Sequence, residues 1–433
     1  MNRNNPAKNH QNTVDRMRKK MIVNKGGQKI CLVLLVRNQP NTVKSLLDSV
    51  KSIIDTISII DTKLSSDQPN DLIDSILEWG KDNNIPVTVS IDKFKSLPYN
   101  KTNSIKISKS KFPGTDYFLL SELDFVWNIS NFDKNKLTEN KYDVIQNTDY
   151  YRSTRLLSAK INWICHLKTY EYWTDFNDKS NNNGDLLTTL SINEELTESK
   201  YQEKILLLLE NLKEPNICKY DKLRVKFYLG YVFRKANMFE EAIQCSLKRI
   251  EDGGCKEEIY YSIYNVARSY EEWAWKIKQC VEYINKEIKN EDETKFIEKW
   301  NCNNLVINEL LNENAKLFNQ AMQHYKRAYD FRPTRAEPLY SASKLYRQLG
   351  VEEIYILGYQ MIIAGKNIKC PTDYLFVNKD CYDYLFDFEL MMIAYLIKDK
   401  KSEGADALIR LLKIENLPDI IKENINSKIE IYK

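Results

Sequence analysis

Histidine is scarce in this 433-residue chain, with His10, His166 and His324 the only three. A Ser-His-Asp triad or a histidine-rich metal cage therefore has almost nothing to draw on, and His166, set among aromatic residues, reads as a packing side chain. Cysteine is present but without a pattern. Cys31, Cys165, Cys218, Cys245, Cys255, Cys280, Cys302, Cys370 and Cys381 are odd in number, widely spread and nowhere arranged as Cys-x-x-Cys. That argues against zinc ribbons and disulfide scaffolds and for reduced, mostly buried thiols in a reducing, cytoplasmic compartment. Charge of one sign is lacking too. Lys+Arg 64 against Asp+Glu 60 leaves +4, too even a balance for a nucleic-acid signal in the global field. The apolar run Ile30 to Val36 falls far short of the roughly 20 residues of a membrane span, so a buried strand is expected there and no membrane span. Gly26-Gly27 comes before that strand, whereas a phosphate loop would have to follow it.

What is present divides the chain. Residues 1–28 are polar and basic and read as a disordered tail. From Lys29 onward, short apolar runs alternate with helical periodicity, the mark of βαβ units. Strands are expected at 30–36, 57–60, 86–91, 117–120, 142–145 and 152–157. Val43, Leu46, Leu47, Val50, Ile53 and Ile54 recur at helical spacing behind an Asn41 cap, and Leu72, Ile73, Ile76, Leu77 and Trp79 do so behind Asn70. The Asn, Ser and Gly of residues 178–185 mark a loop or junction, and beyond Asn193 only helical periodicity remains. The expected fold class is α/β followed by all-α, with domains at 29–190 and 191–433.

The second half repeats itself. Ala321, Tyr325, Ala328 and Pro333 have the spacing of small and aromatic packing positions before a helix stop, and Gly230 with Ala242 suits an earlier hairpin. Leu339, Ser343 and Tyr346 open another, with Gly350 in its turn. Four or five hairpins are expected, one of them lengthened by the charged run 286–299.

Chemistry concentrates in the first half. Asp61 and the run Ser121-Glu122-Leu123-Asp124 end strands, where open α/β sheets place their ligands. Glu122 and Asp124, two positions apart after a strand, suit a hard divalent cation such as Mn²⁺ or Mg²⁺, which would offset charge on a departing diphosphate as a Lewis acid.

Val36-Arg37-Asn38-Gln39, Ile59-Ile60-Asp61-Thr62, Tyr99-Asn100-Lys101-Thr102 and residues 116–124 occur in the order and spacing of family 2 glycosyltransferases. The chain resembles the GT-A members of that family that carry carboxy-terminal tetratricopeptide-like repeats, a group also met in large DNA viruses, for which the compartment would be the host cytoplasm. The resemblance implies a GT-A nucleotide-sugar-binding domain and a helical repeat array. It assigns Asn38, Gln39, Asp61, Asn100 and Lys101 to the nucleotide-sugar donor and Glu122 and Asp124 to the metal. The segment from Arg155-Leu156-Leu157 through Trp163 to Tyr170-Glu171-Tyr172 makes Glu171 the catalytic candidate. A protein or glycan acceptor is implied, with protein partners a further use of the repeats. The most specific block, Arg332 to Tyr340 with Leu375-Phe376-Val377 and Lys379-Asp380, marks the subfamily and reads as packing and turn residues.

The sequence departs from the family pattern at Glu122, where Asp is usual, at Gln39, at Lys63-Leu64, at Tyr170 and at the segment from Glu194-Glu195 to Lys200-Tyr201. Two readings follow: a metal-dependent glycosyltransferase, or a catalytically degenerate relative whose repeats serve as a protein-interaction scaffold.

Overall fold

The structure is a computed structural model and describes residues 27–37, 43–62, 71–146, 150–177, 184–194, 197–286, 289–302 and 306–433. The expected tail, the caps Asn41 and Asn70, and Lys63-Leu64 thus lie largely or wholly outside the described residues. The chain forms two compact units, Met1–Glu195 and Leu196–Lys433.

The first unit is built on an eight-stranded mixed sheet. In chain order the strands are β1 (Ile30–Val36), β2 (Thr56–Asp61), β3 (Val87–Ile91), β4 (Tyr117–Ser121), β5 (Val126–Ile129), β6 (Lys141–Gln146), β7 (Tyr151–Ser158), β8 (Trp163–His166), β9 (Tyr172–Asp175) and β10 (Asp185–Asn193). The sheet order is β3-β2-β1-β4-β7-β6-β10-β5, and β8 with β9 forms a separate ribbon. Strands β1 to β4 run parallel, and β7 returns antiparallel against β4. The carboxyl ends of β1, β2 and β4 therefore share one edge, and the chain's order reverses at β1, the switch point at which such sheets bind ligands.

Alternation along β1 explains why it is apolar throughout. Ile30, Leu32, Leu34 and Val36 pack on one face with Leu46, Leu47 and Val50 of α1 (Lys44–Val50) and Leu72, Ile73 and Ile76 of α2 (Asp71–Asp82). Cys31 and Val33 face the other side, toward Ile105 of α3 (Leu97–Lys111). Helix α3 has no apolar stripe: besides Ile105 it buries Asn100, Ser104 and Ser108, and Ser108 Oγ donates to Ser58 Oγ at 2.8 Å. It is started instead by the Ser96 cap, which accepts from the Tyr99 N–H, and by Pro98 in the first turn. Strand β10 carries the sheet through Asn193, past the boundary at 190 read from the sequence.

The second unit is all-α. Its helices are α4 (Glu198–Leu212), α5 (Lys219–Lys235), α6 (Phe239–Glu251), α7 (Lys256–Ile284), α8 (Glu291–Lys299), α9 (Ile307–Phe331), α10 (Glu337–Leu349), α11 (Tyr355–Lys366), α12 (Phe386–Ala394), α13 (Lys401–Leu411) and α14 (Asp419–Tyr432). Most successive helices pack on one another, but α8 is bypassed and α7 packs directly on α9. Gly230 of α5 lets α6 approach: a Cβ there would lie 2.5 Å from Ser246 Oγ. Ala242, Ala321 and Ala328 are sealed in seams, with Tyr325 donating to Glu271. Gly350 closes α10 in the left-handed conformation, φ +73°, that favours glycine.

An irregular strap, residues 367–378, crosses this unit. Glu257 of α7 accepts the backbone N–H groups of Tyr374 and Leu375, each at 2.8 Å. Arg335 donates to the carbonyls of Leu375 and Phe376 and pairs with Glu337 and Asp373. Phe376 stacks on Tyr261 and lies beside Tyr231 of α5. Its φ of +49° is one that a bulky residue adopts only where its surroundings hold it. The Arg332–Tyr340 block and Leu375-Phe376-Val377 are thus parts of one buried ionic clamp. Among the described residues no helix is long and apolar enough to cross a membrane.

Candidate functional site

A cleft opens at the carboxyl end of β1 on the α3 face, lined by Val33, Leu35, Leu120, Ser121, Ser104 and Trp173 together with Lys101, Glu122, Arg155 and Glu171. The charged residues arrive from separate elements. Lys101 comes from the first turn of α3, Glu122 from the turn after β4, Arg155 from β7, and Glu171 immediately precedes β9. The turn between β8 and β9 delivers Glu171 through Leu167 and Tyr170, both left-handed at φ +67° and +50°. Thr102 Oγ1 accepts the Cys165 N–H at 2.9 Å and ties that ribbon to α3.

The four charges alternate along one chain. Lys101 Nζ donates to Glu122 Oε1 at 2.9 Å and to Glu171 Oε1 at 3.1 Å, and Arg155 Nη1 donates to the same Glu171 oxygen at 3.1 Å. Arg155 is held further by Ser153 Oγ and Gln146 Oε1 and stands over the Phe125 ring. Burial opposes the charge on Lys101, but Glu122 and Glu171 outweigh it and hold the ammonium above its ordinary pKa. Burial likewise opposes the Glu171 carboxylate, and Lys101 and Arg155 more than reverse that, lowering its pKa to about 2. Held by both cations, Glu171 is an ionised acceptor and a weak base; it gains basicity only when a cation lets go. Burial pushes the neighbouring Cys165 thiol up, so it stays protonated and inert.

Lys101, Glu122 and Glu171 thus meet in one cluster. Asn100 is spent elsewhere: it is fully buried, its Oδ1 accepts from the N–H groups of Lys95 and Ser96, and its Nδ2 donates to Asp92 and to the Lys93 carbonyl. It shapes the loop that starts α3. Asp61 ends β2, with its carbonyl accepting the Asp92 N–H. Asp124 lies exposed in the turn between β4 and β5. Asn38 and Gln39 are outside the described residues; Arg37, just before them, stacks 3.7 Å over the Phe94 ring. His166 packs as expected, stacked on Tyr172 with Nε2 on Thr174.

Among the described residues no group of three or more His, Cys, Asp and Glu side chains could hold a metal ion. Sequence reasoning passed over Arg155 and Trp173 as site members. Its place at the head of the Arg155-Leu156-Leu157 segment was the available signal for the first; nothing singled out the second.

No family model matches the sequence, and no curated protein matches it significantly. Among solved structures, S. aureus TarS aligns at 12% identity over 56% of this chain and 53% of that one, with a TM-score of 0.29. The 1–349 form of S. aureus TarS aligns at 11% identity over 69% and 92%, with a TM-score of 0.25. The first alignment thus spans about half of the TarS chain. Scores below 0.5 do not define a shared fold, so the reading of the site rests on its own geometry.

Proposed function

We propose that the first unit is a GT-A-like domain that transfers a sugar from a nucleotide-sugar donor to a protein or glycan acceptor. The observation that carries this reading is the Lys101–Glu122–Glu171–Arg155 cluster in a cleft at the switch point of the mixed sheet. In this scheme the donor diphosphate draws Lys101 toward itself. Glu171 is then left with Arg155 alone, regains basicity and takes the proton of the acceptor hydroxyl as the oxygen attacks the anomeric carbon. The bond from that carbon to the diphosphate breaks, and the charge passes to the leaving nucleoside diphosphate. Mn²⁺ or Mg²⁺, held by Glu122 and Asp124, would supply Lewis-acid stabilisation of that charge. The helical unit, in the same reading a tetratricopeptide-like array, would select the acceptor.

The double clamp on Glu171 and the full use of Asn100 favour a second reading, a degenerate domain beside a helical scaffold. Calorimetry of the full chain with UDP- and GDP-sugars, with and without Mn²⁺, separates the two. Micromolar binding enhanced by the cation is expected for the transferase, and no heat with any donor would sink it.

A further inference from the structure

Trp173 is set apart from the other tryptophans of its unit. The indole N–H of Trp163 donates to the Ser158 carbonyl at 2.8 Å, that of Trp127 to Ser121 Oγ at 3.1 Å and that of Trp79 to Asp48 at 2.8 Å. The Trp173 N–H has no acceptor among the described residues, although the side chain is only 1% exposed. Buried donors are almost always satisfied, and an orphan costs the fold stability. Thr88, Ser90 and Thr189 also leave hydroxyls unpaired in this unit, but none of them lines the cleft, and Trp173 does, beside Lys101, Arg155 and Glu171. Its ring is fixed by the core beneath the cleft, among Phe118, Leu120, Leu157 and Trp163, and its carbonyl accepts from Lys141 Nζ.

The chemistry of the cleft that Trp173 lines selects what would satisfy its N–H. The two cations and two carboxylates of the cleft cancel, so its inner part asks for a ligand group without net charge. Val33, Leu35 and Leu120 offer it an apolar wall. A pyranose has both properties: C–H groups on its faces and neutral oxygens around its rim. An anionic diphosphate gains far more from an ammonium or a metal than from a neutral N–H.

We propose that Trp173 is a specificity-determining residue whose indole N–H donates to a neutral oxygen, hydroxyl or carbonyl, of the sugar carried by the donor. This rests on the cleft being a nucleotide-sugar site.

The test uses the full chain and Trp173→Phe, which keeps an aromatic ring and deletes the donor. Affinities for UDP, GDP and their hexose and N-acetylhexosamine conjugates are measured by calorimetry, and Tm is measured without ligand. The expected result is a split. Tm stays level or rises because an orphan donor is gone; nucleoside diphosphate affinity stays within about twofold, and the best conjugate binds about tenfold more weakly, the effect of one hydrogen bond. Conjugates that bind the variant as tightly as the parent would overturn the proposal and leave the transferase reading standing. Equal weakening of diphosphate and conjugate with a lower Tm would make Trp173 a structural residue only. A parent that binds no conjugate would overturn both. If the variant does not fold, the indole N–H signals of the ¹⁵N-tryptophan-labelled parent decide: one must shift with the conjugate but not with the diphosphate alone, and no such shift refutes the proposal.

Discussion

The two units bury the same chemistry to different ends. In the helical unit Arg335, Glu337 and Asp373 are 1%, 4% and 7% exposed, buried as deeply as the Arg249–Glu258 pair, with Arg332 on Asp373 the outermost member at 24%. In the α/β unit the chain of charges starts from Glu122, 38% exposed, and runs inward through Lys101 at 15% to Arg155 at 7%. A sealed network can only specify and hold a fold. One whose outer member is exposed and lines a cleft can exchange a partner for a ligand, and the proposed site is of that kind.

The largest effect should come from breaking the sealed network. Arg335→Met leaves Glu337 buried without its cation and Asp373 with Arg332 alone, a loss of about 3–5 kcal/mol, and urea unfolding followed by helical circular dichroism should show it. A loss below about 1 kcal/mol would mean that the clamp is solvated and the contrast false. Lys101→Met should cost less stability, because Glu171 keeps Arg155 and Glu122 reaches water, yet weaken donor binding on the order of 10–100-fold. Asp124→Ala should abolish any enhancement of that binding by Mn²⁺. Calorimetry reads both, and unchanged donor affinity in Lys101→Met would move the site elsewhere.

A subtler effect is acid sensitivity. The folded-state pKa of Glu171 is lowered to about 2, against about 4.3 in an unfolded chain. Its contribution is therefore complete above that unfolded value and is lost as pH falls toward 2. Glu171→Gln should flatten the acid limb of stability between about pH 4.5 and 2, measured by denaturation at stepped pH. An unaltered limb would show that the carboxylate is not clamped in solution. The smallest effect is expected from Glu122→Asp, less than about threefold in cation-dependent donor affinity, since both side chains offer the same carboxylate.

Much of the frame was legible because burial there is apolar. Strands β1 to β4 and helices α1 and α2 announce themselves by runs or periodicity, and the buried alanines of the helical unit by spacing. Helix α3 was not, since the face it buries is Asn100, Ser104 and Ser108 and no hydrophobic period exists to find; Ser96 and Pro98 were the remaining trace. Strands β5, β8 and β9 were missed because each has only four residues and mixes polar with aromatic ones, and β10 because Thr and Ser interrupt its apolar residues and its partners β5 and β6 are remote in sequence. At the site, Lys101, Glu122 and Glu171 could each be named, but not their mutual contacts, which span up to 70 residues of sequence. The amide of Asn100 shows the opposite limit: the residue type suits a ligand, and local backbone groups use it up first.

The strap has a mechanical consequence. In a stack of hairpins that touch only their neighbours, a pull on one end peels the units off one after another. Here Phe376 sits against Tyr231 and Tyr261 while Arg335 grips the adjoining carbonyls, so residues 231 to 376 are cross-tied. Helices α12 to α14 lie beyond the tie and can peel ahead of it. The stretch behind them must give way together, so under tension the unit should resist and then yield in one large step, behaving less like a spring than like a latch.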